Sequence, residues 1–217
     1  MTSLLLLLFF ASGCAALIYE LVWFHLVQLV VGASSLSMAV ILSSFMGGMA
    51  LGSALLPRLV GRDRHPLRVV AALEAGIGVL GILIPIALPF VRYTYVALAG
   101  YGYANVLLRG LVCAVVLLPP TVLMGATLPA IARWTSGLGA KASAIGFLYM
   151  ANIAGAACGT VLAGFYLLRV FDTVIASGVA VVINATVALI AWALARATAH
   201  DPRAEPEPGL DRVPVEG

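Results

Sequence analysis

Residues 4–31 read LLLLLFFASGCAALIYELVWFHLVQLVV, and Glu20 is the only acidic residue among them. An α-helix rises about 1.5 Å per residue and needs about 20 apolar residues to cross the hydrocarbon core of a bilayer. The stretch is longer than that, which predicts a membrane-spanning helix that tilts or breaks near Ser12-Gly13. A carboxylate inside such a helix usually faces the interior of a helix bundle, so Glu20 is a candidate functional residue.

The rest of the chain continues this apolar pattern. Hydrophobic residues make up 63% of the 217 residues and charged residues only 10%. We predict an all-α polytopic membrane protein, a six-helix transmembrane bundle within residues 1–196. A disordered cytoplasmic tail is predicted for residues 197–217, where acidic residues and prolines replace apolar ones. The six predicted spans are Leu4–Val31, Leu36–Val60, Leu67–Val91, Ala104–Ile131, Ser143–Leu168 and Thr173–Leu194.

The basic residues predict the orientation of these spans. Nine of them fall on one side of a six-span chain: Arg58, Arg62, Arg64, Arg68, Arg133, Lys141, Arg196, Arg203 and Arg212. Arg92, Arg109 and Arg169 fall on the other side. The positive-inside rule then places both termini in the cytoplasm of a cell (inner) membrane. The net charge of +3 is thus explained by topology, and the expected partner is the lipid bilayer, with no nucleic acid.

Two alternatives concern the cysteines and the first span. Ala11-Ser12-Gly13-Cys14 resembles a lipoprotein cleavage site, but no Lys or Arg precedes Leu4 and the apolar stretch continues past Cys14. An uncleaved span therefore fits better. Cys14, Cys113 and Cys158 are widely spaced, with neither CxxC spacing nor histidines in ligand register, so we expect no metal and no cofactor.

Small residues recur every four positions in two of the spans, which is typical of closely packed membrane helices. The residues are Ser44, Gly48 and Gly52 in span two and Ala151, Gly155, Gly159 and Ala163 in span five. The segments 52–58 and 125–129 also look alike, GSALLPR beside GATLP. This similarity favours a three-plus-three inverted repeat resembling half of a major-facilitator carrier.

The candidate ligand-binding residues lie around the two acids of the spans. Glu20 shares a helix face with Phe24 and Gln28, beside Trp23. Buried carboxylates, aromatic faces and amides suit a protonated amine. The predicted binding residues are Tyr19, Glu20, Trp23, Gln28, Glu74 and Asn152, and Asn105 and Asn184 offer further amides.

Each acid also has a structural interpretation. Glu20 could be hydrogen-bonded to neighbouring helices. Glu74 follows the arginine-rich loop by one to two turns, which favours an ion pair with Arg58, Arg62 or Arg68. Glu20 is therefore the preferred functional candidate. No Ser-His-Asp arrangement or other catalytic constellation is found in the sequence, so no catalytic residue is assigned.

Five blocks, in this order, resemble the membrane part of membrane-embedded spermidine synthases. They are residues 12–23 (SGCAALIYELVW), 45–53 (FMGGMALGS), 73–78 (LEAGIG), 124–129 (MGATLP) and 148–156 (LYMANIAGA). Arg169 departs from the pattern, since the resemblance leads us to expect proline there. In fused members, a soluble aminopropyltransferase domain transfers an aminopropyl group from decarboxylated S-adenosylmethionine to putrescine. We expect that domain to be absent from this chain.

The sequence is compatible with three functions. The resemblance implies a membrane module that anchors or feeds a separate soluble aminopropyltransferase on the cytoplasmic side. The segment 57–64 (PRLVGRDR) loosely resembles the loop between spans two and three of major-facilitator carriers, which favours a half-sized transporter of polyamines or other small solutes, acting as a homodimer. A structural subunit of a larger membrane complex is the third alternative.

Overall fold

The computed structural model describes residues 2–61, 63–98, 103–137 and 142–198. Helix accounts for 94% of it, and no strand occurs among these residues. The long helices are α1 (Thr2–Val31), α2 (Ser35–Leu59), α3 (Pro66–Leu98), α4 (Tyr103–Gly137), α5 (Ala142–Val161) and α6 (Thr173–Ala197). Helix α5 continues through a π-helical segment, Leu162–Leu167, and a closing turn, Leu168–Val170. All six are long and apolar enough to cross a membrane, which confirms the predicted all-α, multi-pass architecture.

The helix ends follow from local sequence. Helix α1 runs unbroken through Ser12-Gly13, so of the predicted tilt or break, the break does not occur. It stops at Gly32, whose φ of +89° is a backbone conformation that glycine adopts readily. The Ser34 hydroxyl accepts a hydrogen bond from the Ser37 N–H at 3.2 Å and caps α2. The predicted tail lies outside the described residues from position 199 onward.

The helices pair in a pattern that is symmetric in the two halves of the chain. The most extensive interfaces join α2 to α4, α1 to α5 and α3 to α6, followed by α3 with α4 and α1 with α6. Exchanging α1 with α4, α2 with α5 and α3 with α6 maps this set of interfaces onto itself. Because each half holds three helices, such halves have opposite orientation in the membrane. The arrangement is that of a three-plus-three inverted repeat.

Glycines bring α2 and α4 into backbone contact. A Cβ atom on Gly52 would overlap the carbonyl oxygen of Val122, and one on Gly125 would overlap that of Met49. A Cβ on Gly48 would overlap the Thr121 side chain. Only residues without a Cβ permit this approach, which is how small-residue interfaces in membranes gain their packing energy.

The same arrangement recurs between α1 and α5. A Cβ on Gly155 would overlap the carbonyl oxygen of Phe10, and one on Gly13 would overlap that of Asn152. Gly159 lies likewise against the Cys14 carbonyl. In both interfaces, each helix contributes a glycine and also a carbonyl that the glycine of the other helix contacts. That carbonyl belongs to the residue three positions before the helix's own glycine. The two interfaces therefore have the same register.

This register corrects the repeat suggested by the sequence. The similar segments beginning at Gly52 and Gly125 belong to helices that pack against each other, and they are not equivalent positions. The geometry matches Gly52 with Gly155, and Gly125 with Gly13. The similarity arose because both sides of one close interface require small residues. Of the other stripe residues, Ser44 and Ala151 are half-buried and Ala163 is fully buried.

The polar ends of the bundle are held by side-chain bonds. Arg133 donates to the carbonyl oxygens of Val60 at 3.1 Å and Gly61 at 3.2 Å, and the His65 ring lies 3.2 Å from the Thr198 carbonyl. The α2–α3 loop and the ends of α4 and α6 therefore share one end of the bundle. We call it the basic end, and its described arginines are Arg58, Arg64, Arg68, Arg133 and Arg196.

At the opposite end, Arg109 donates to the hydroxyls of Ser34 and Ser37 at 3.2 Å and to the Tyr95 hydroxyl at 3.3 Å. These bonds join the start of α2, the last turns of α3 and the start of α4. The grouping of basic residues at one end agrees with the predicted topology. Its direction across a particular membrane stays a prediction.

Candidate functional site

Glu74 lies in the interior of the bundle. It is 1% exposed, and its Oε1 accepts a hydrogen bond from the Ser12 hydroxyl of α1 at 2.5 Å. Its Oε2 is buried and has no hydrogen-bond partner in the described part of the chain. A buried polar atom without a partner is unfavourable by about 1–3 kcal/mol, and such atoms are rare in native proteins.

The predicted ion pair of Glu74 with loop arginines is wrong for the two described candidates. Arg58 and Arg68 are exposed, and neither reaches the carboxyl. Arg62, the third candidate, lies outside the described residues. Six residues separate Arg68 from Glu74, which places their side chains about 120° apart around α3. Glu74 therefore faces α1 while Arg68 faces outward.

Tyr19 and Trp23 form an aromatic wall on α1. Both are fully buried, and their rings stack with centroids 4.7 Å apart and planes at 19°. The Tyr19 ring lies only 2.5 Å from the position that a Cβ on Gly81 would take, so glycine on α3 makes room for it. The Tyr19 hydroxyl and the Trp23 indole N–H have no partner among the described residues.

Asn184 brings α6 into the same region. It is 1% exposed, and its Cβ lies 3.8 Å from the position that a Cβ on Gly78 would take, one turn beyond Glu74 on α3. Neither its amide nitrogen nor its amide oxygen has a partner in the described structure. Ser177 is also buried and unpartnered, and it lies two turns from Asn184 on the same face of α6.

These side chains form one feature, which we call the polar column. Its members are Ser12, Tyr19 and Trp23 of α1, Glu74 of α3, and Ser177 and Asn184 of α6. Seven buried side-chain polar atoms of the described residues lack a partner, and six of them belong to this column. The seventh is the Trp134 indole nitrogen. Native proteins rarely leave such atoms unpaired, so their concentration here makes the column the candidate site.

The register of the helices sets the order of groups along the column. Ser12 lies beside Glu74 and Tyr19 beside Gly81, a spacing of seven residues on both α1 and α3. The two helices therefore run in the same direction here, and Glu74 and Tyr19 lie about 10 Å apart along the axis. Asn184 lies between them in height. The column thus presents a carboxyl, an amide and a phenol in succession.

The other predicted binding residues lie elsewhere. Glu20 is half-buried and forms no hydrogen bond with the described residues, and Gln28 is half-buried on the face of α1 opposite Tyr19. Glu20 is about 12 Å and 80° from Ser12 on α1, so the two acids do not share one site. The Asn152 amide donates to the Phe9 carbonyl at 3.2 Å, within the α1–α5 interface.

Sequence reasoning missed Ser12 and Ser177 as members of the site. The available signal was modest: Asn184 and Ser177 are polar residues spaced two turns apart in an otherwise apolar span. The side chain of Asn105 lies outside the described residues. Among the residues that the structure describes, no three His, Cys, Asp or Glu side chains come together in a way that could hold a metal ion.

Two cavities lie away from the column. One of about 510 Å³ is an apolar groove between α1 and α3 at the end opposite the basic end, with Arg92 and Tyr93 at its rim. The other, of about 700 Å³, lies at the basic end beside the α2–α3 loop.

Comparison of the chain with models of known protein families, with curated proteins and with solved structures found no match.

Proposed function

We propose that the chain is an integral membrane module that binds a protonated amine in the polar column and serves a separate soluble aminopropyltransferase. The observation that carries the proposal is the buried, unpaired Oε2 of Glu74. A carboxylate in the bundle interior is strongly unfavourable unless a positive charge or a proton accompanies it. The described interior around Glu74 supplies a hydroxyl from Ser12 but no cationic side chain.

The chemistry of the column suits a primary ammonium group. Such a group has one positive charge and three N–H donors, and it would pair with the Glu74 carboxylate, while the Asn184 amide and the Tyr19 hydroxyl offer acceptor oxygens further along the column. The stacked rings of Tyr19 and Trp23 add faces of negative electrostatic potential, with which cations interact favourably. A neutral alcohol of the same shape would offer one donor and no charge. Selectivity for the amine follows from this difference.

The context of polyamine metabolism comes from the sequence resemblance to membrane-embedded spermidine synthases. Glu74 and Tyr19 both lie in blocks that carry this resemblance. A cytoplasmic partner would then meet the basic end, where the predicted tail leaves the bundle. In this arrangement the membrane module anchors the synthase and supplies its amine substrate.

Amine binding is tested with the full-length purified chain in lipid nanodiscs. Butylamine and putrescine should stabilise it against thermal unfolding, by about 2.7 kcal/mol at a concentration of 100 Kd, and butanol should not. Glu74→Gln should abolish the effect while keeping the Ser12 bond, because the amide oxygen still accepts it. Glu20→Gln is the matched control and should retain the effect. Equal loss in both variants, or equal stabilisation by butanol, would contradict the proposal.

The partner is tested separately, by incubating the immobilised chain with a purified soluble aminopropyltransferase. We expect retention of the enzyme by the full chain and its loss when residues 199–217 are deleted. If amines bind but no enzyme is retained, the amine site stands and the anchoring role is wrong.

A half-sized transporter is the second candidate, and the exchange symmetry of the helix interfaces favours it. Inverted three-helix repeats are common in transporters, which place their binding sites between the repeats. Proteoliposomes containing the chain should then accumulate labelled putrescine along a gradient, and Glu74→Gln should abolish uptake. A homodimer should be recovered by cross-linking in the same liposomes. Purified chain that binds amine but transports none would rule out this function.

A further inference from the structure

The basic end contains a cavity that the proposed amine site does not involve. Its volume is about 700 Å³, and it lies between α2, α3 and the α2–α3 loop. The polar part of the wall includes Asp63, Arg64 and Arg68, whose formal charges sum to +1. The remainder is largely apolar, with Leu56, Leu59, Val69, Leu73 and Leu123 on the helix faces.

The loop beside this cavity is held in place by side-chain contacts. The Nδ1 atom of His65 accepts a hydrogen bond from the Leu67 N–H at 3.3 Å, so its Nε2 carries the proton and donates to the Thr198 carbonyl. The His65 ring also stacks on Trp134, with centroids 5.0 Å apart. Together with the Arg133 bonds to Val60 and Gly61, these contacts fix the backbone that presents the cavity arginines.

The cavity arginines are available to an anion. Arg68 has no acidic partner in the described structure and is exposed. Arg64 has only a long contact with Asp63, 4.0 Å from Nε to Oδ2, between side chains that are 76% and 80% exposed. Such an exposed pair contributes little and is readily exchanged for another partner. A planar guanidinium binds a phosphate through two parallel hydrogen bonds.

We propose that this cavity binds an anionic phospholipid, with its phosphate on Arg64 and Arg68 and an acyl chain along the leucine-lined wall. The position supports a lipid over a soluble anion, because the cavity opens where α2 ends and α3 begins, at the level of the headgroups. The apolar wall provides the surface that an acyl chain covers and a free phosphate does not. Basic pockets between membrane helices commonly receive such headgroups.

The test uses the full chain released from nanodiscs that contain equal amounts of phosphatidylglycerol and phosphatidylcholine, followed by native mass spectrometry. We expect retention of phosphatidylglycerol over phosphatidylcholine. Arg64→Gln with Arg68→Gln should reduce this preference about 30-fold, since each basic residue near the surface contributes a factor of about five. Arg196→Gln is the matched control at the same end, and it should keep the preference.

Two further arms separate the possible sources of the phosphate. Ala72→Trp would place an indole ring on the apolar wall without changing the charge of the cavity, and it should also remove phosphatidylglycerol. Inorganic phosphate, compared with chloride at equal ionic strength, should not displace the lipid. Displacement by phosphate would identify a soluble-anion site and overturn the proposal. Equal loss of preference in Arg196→Gln would show general surface attraction and would overturn it as well.

Discussion

Replacing a helical glycine by alanine should change the stability of the bundle by an amount that depends on what the new Cβ meets, and Gly52 at the contact with α4 is a strongly obstructed case. A Cβ on Gly52 would overlap the carbonyl oxygen of Val122, which belongs to the backbone and cannot rotate away. A Cβ on Gly76 would meet the end of the Leu123 side chain at 3.0 Å, which can move by a few tenths of an ångström. A Cβ on Gly47 would meet nothing within 4 Å.

The three alanine variants should therefore change the free energy of unfolding by different amounts, and the change should differ in sign between them. Replacing an unobstructed helical glycine by alanine stabilises by about 0.5–1 kcal/mol, and Gly47→Ala should show this gain. Overpacking a close interface typically costs about 1–3 kcal/mol, so Gly52→Ala should lower the free energy of unfolding by up to about 2.5 kcal/mol after the same gain is subtracted. Gly76→Ala should fall between them, near zero.

The measurement is the free energy of unfolding in mixed micelles, with helicity checked by circular dichroism. Gly155→Ala tests the inverted repeat in the same experiment, because a Cβ there would overlap the Phe10 carbonyl in the equivalent position. Its loss should match that of Gly52→Ala to within about 0.5 kcal/mol. If Gly52→Ala is as stable as Gly47→Ala, the backbone contact between α2 and α4 does not exist as described.

Four further variants test the side-chain bonds. Ser12→Ala should lower the free energy of unfolding by about 1–2 kcal/mol because it leaves the Glu74 Oε1 unpartnered, and Ser12→Ala with Glu74→Leu should recover most of that loss. An undiminished loss in the double variant would contradict this reasoning. His65→Ala should speed hydrogen exchange at the end of α6, since the contact with Thr198 disappears, and leave the far end of the bundle unchanged. Arg109→Gln should do the reverse, speeding exchange in the first turn of α2 while the basic end keeps its protection.

The six spans could be predicted because the physical requirement is local. A bilayer demands about 20 apolar residues per helix and internal satisfaction of every backbone group, and both requirements are visible in the sequence. The glycine spacing in α2 and α5 was likewise visible as a pattern. Its partner helix was not, because Gly52 carries no information about which carbonyl will approach it.

The assignment of roles to the two acids depended on tertiary contacts. Glu20 shares a helical face with Gln28, and this suggested a polar seam, but that face is only half-buried in the bundle. Glu74 lies close to the arginines along the chain, and this suggested an ion pair, but Arg68 projects from another side of α3. Only the register of α1 against α3 could show that Ser12 reaches Glu74.

The location of the polar column follows from the pseudo-twofold symmetry of the fold and from one departure from that symmetry. The α3–α6 interface maps onto itself when the halves are exchanged, so it contains the pseudo-twofold axis, and Glu74 and Asn184 lie on its two helices. An exact symmetry would pack α4 against α6 as α1 packs against α3. In the described residues α1 packs against α3, whereas α4 scarcely contacts α6. That asymmetry brings Ser12 against Glu74 and Tyr19 against Gly81, with no counterpart from α4 on the α6 side of the axis.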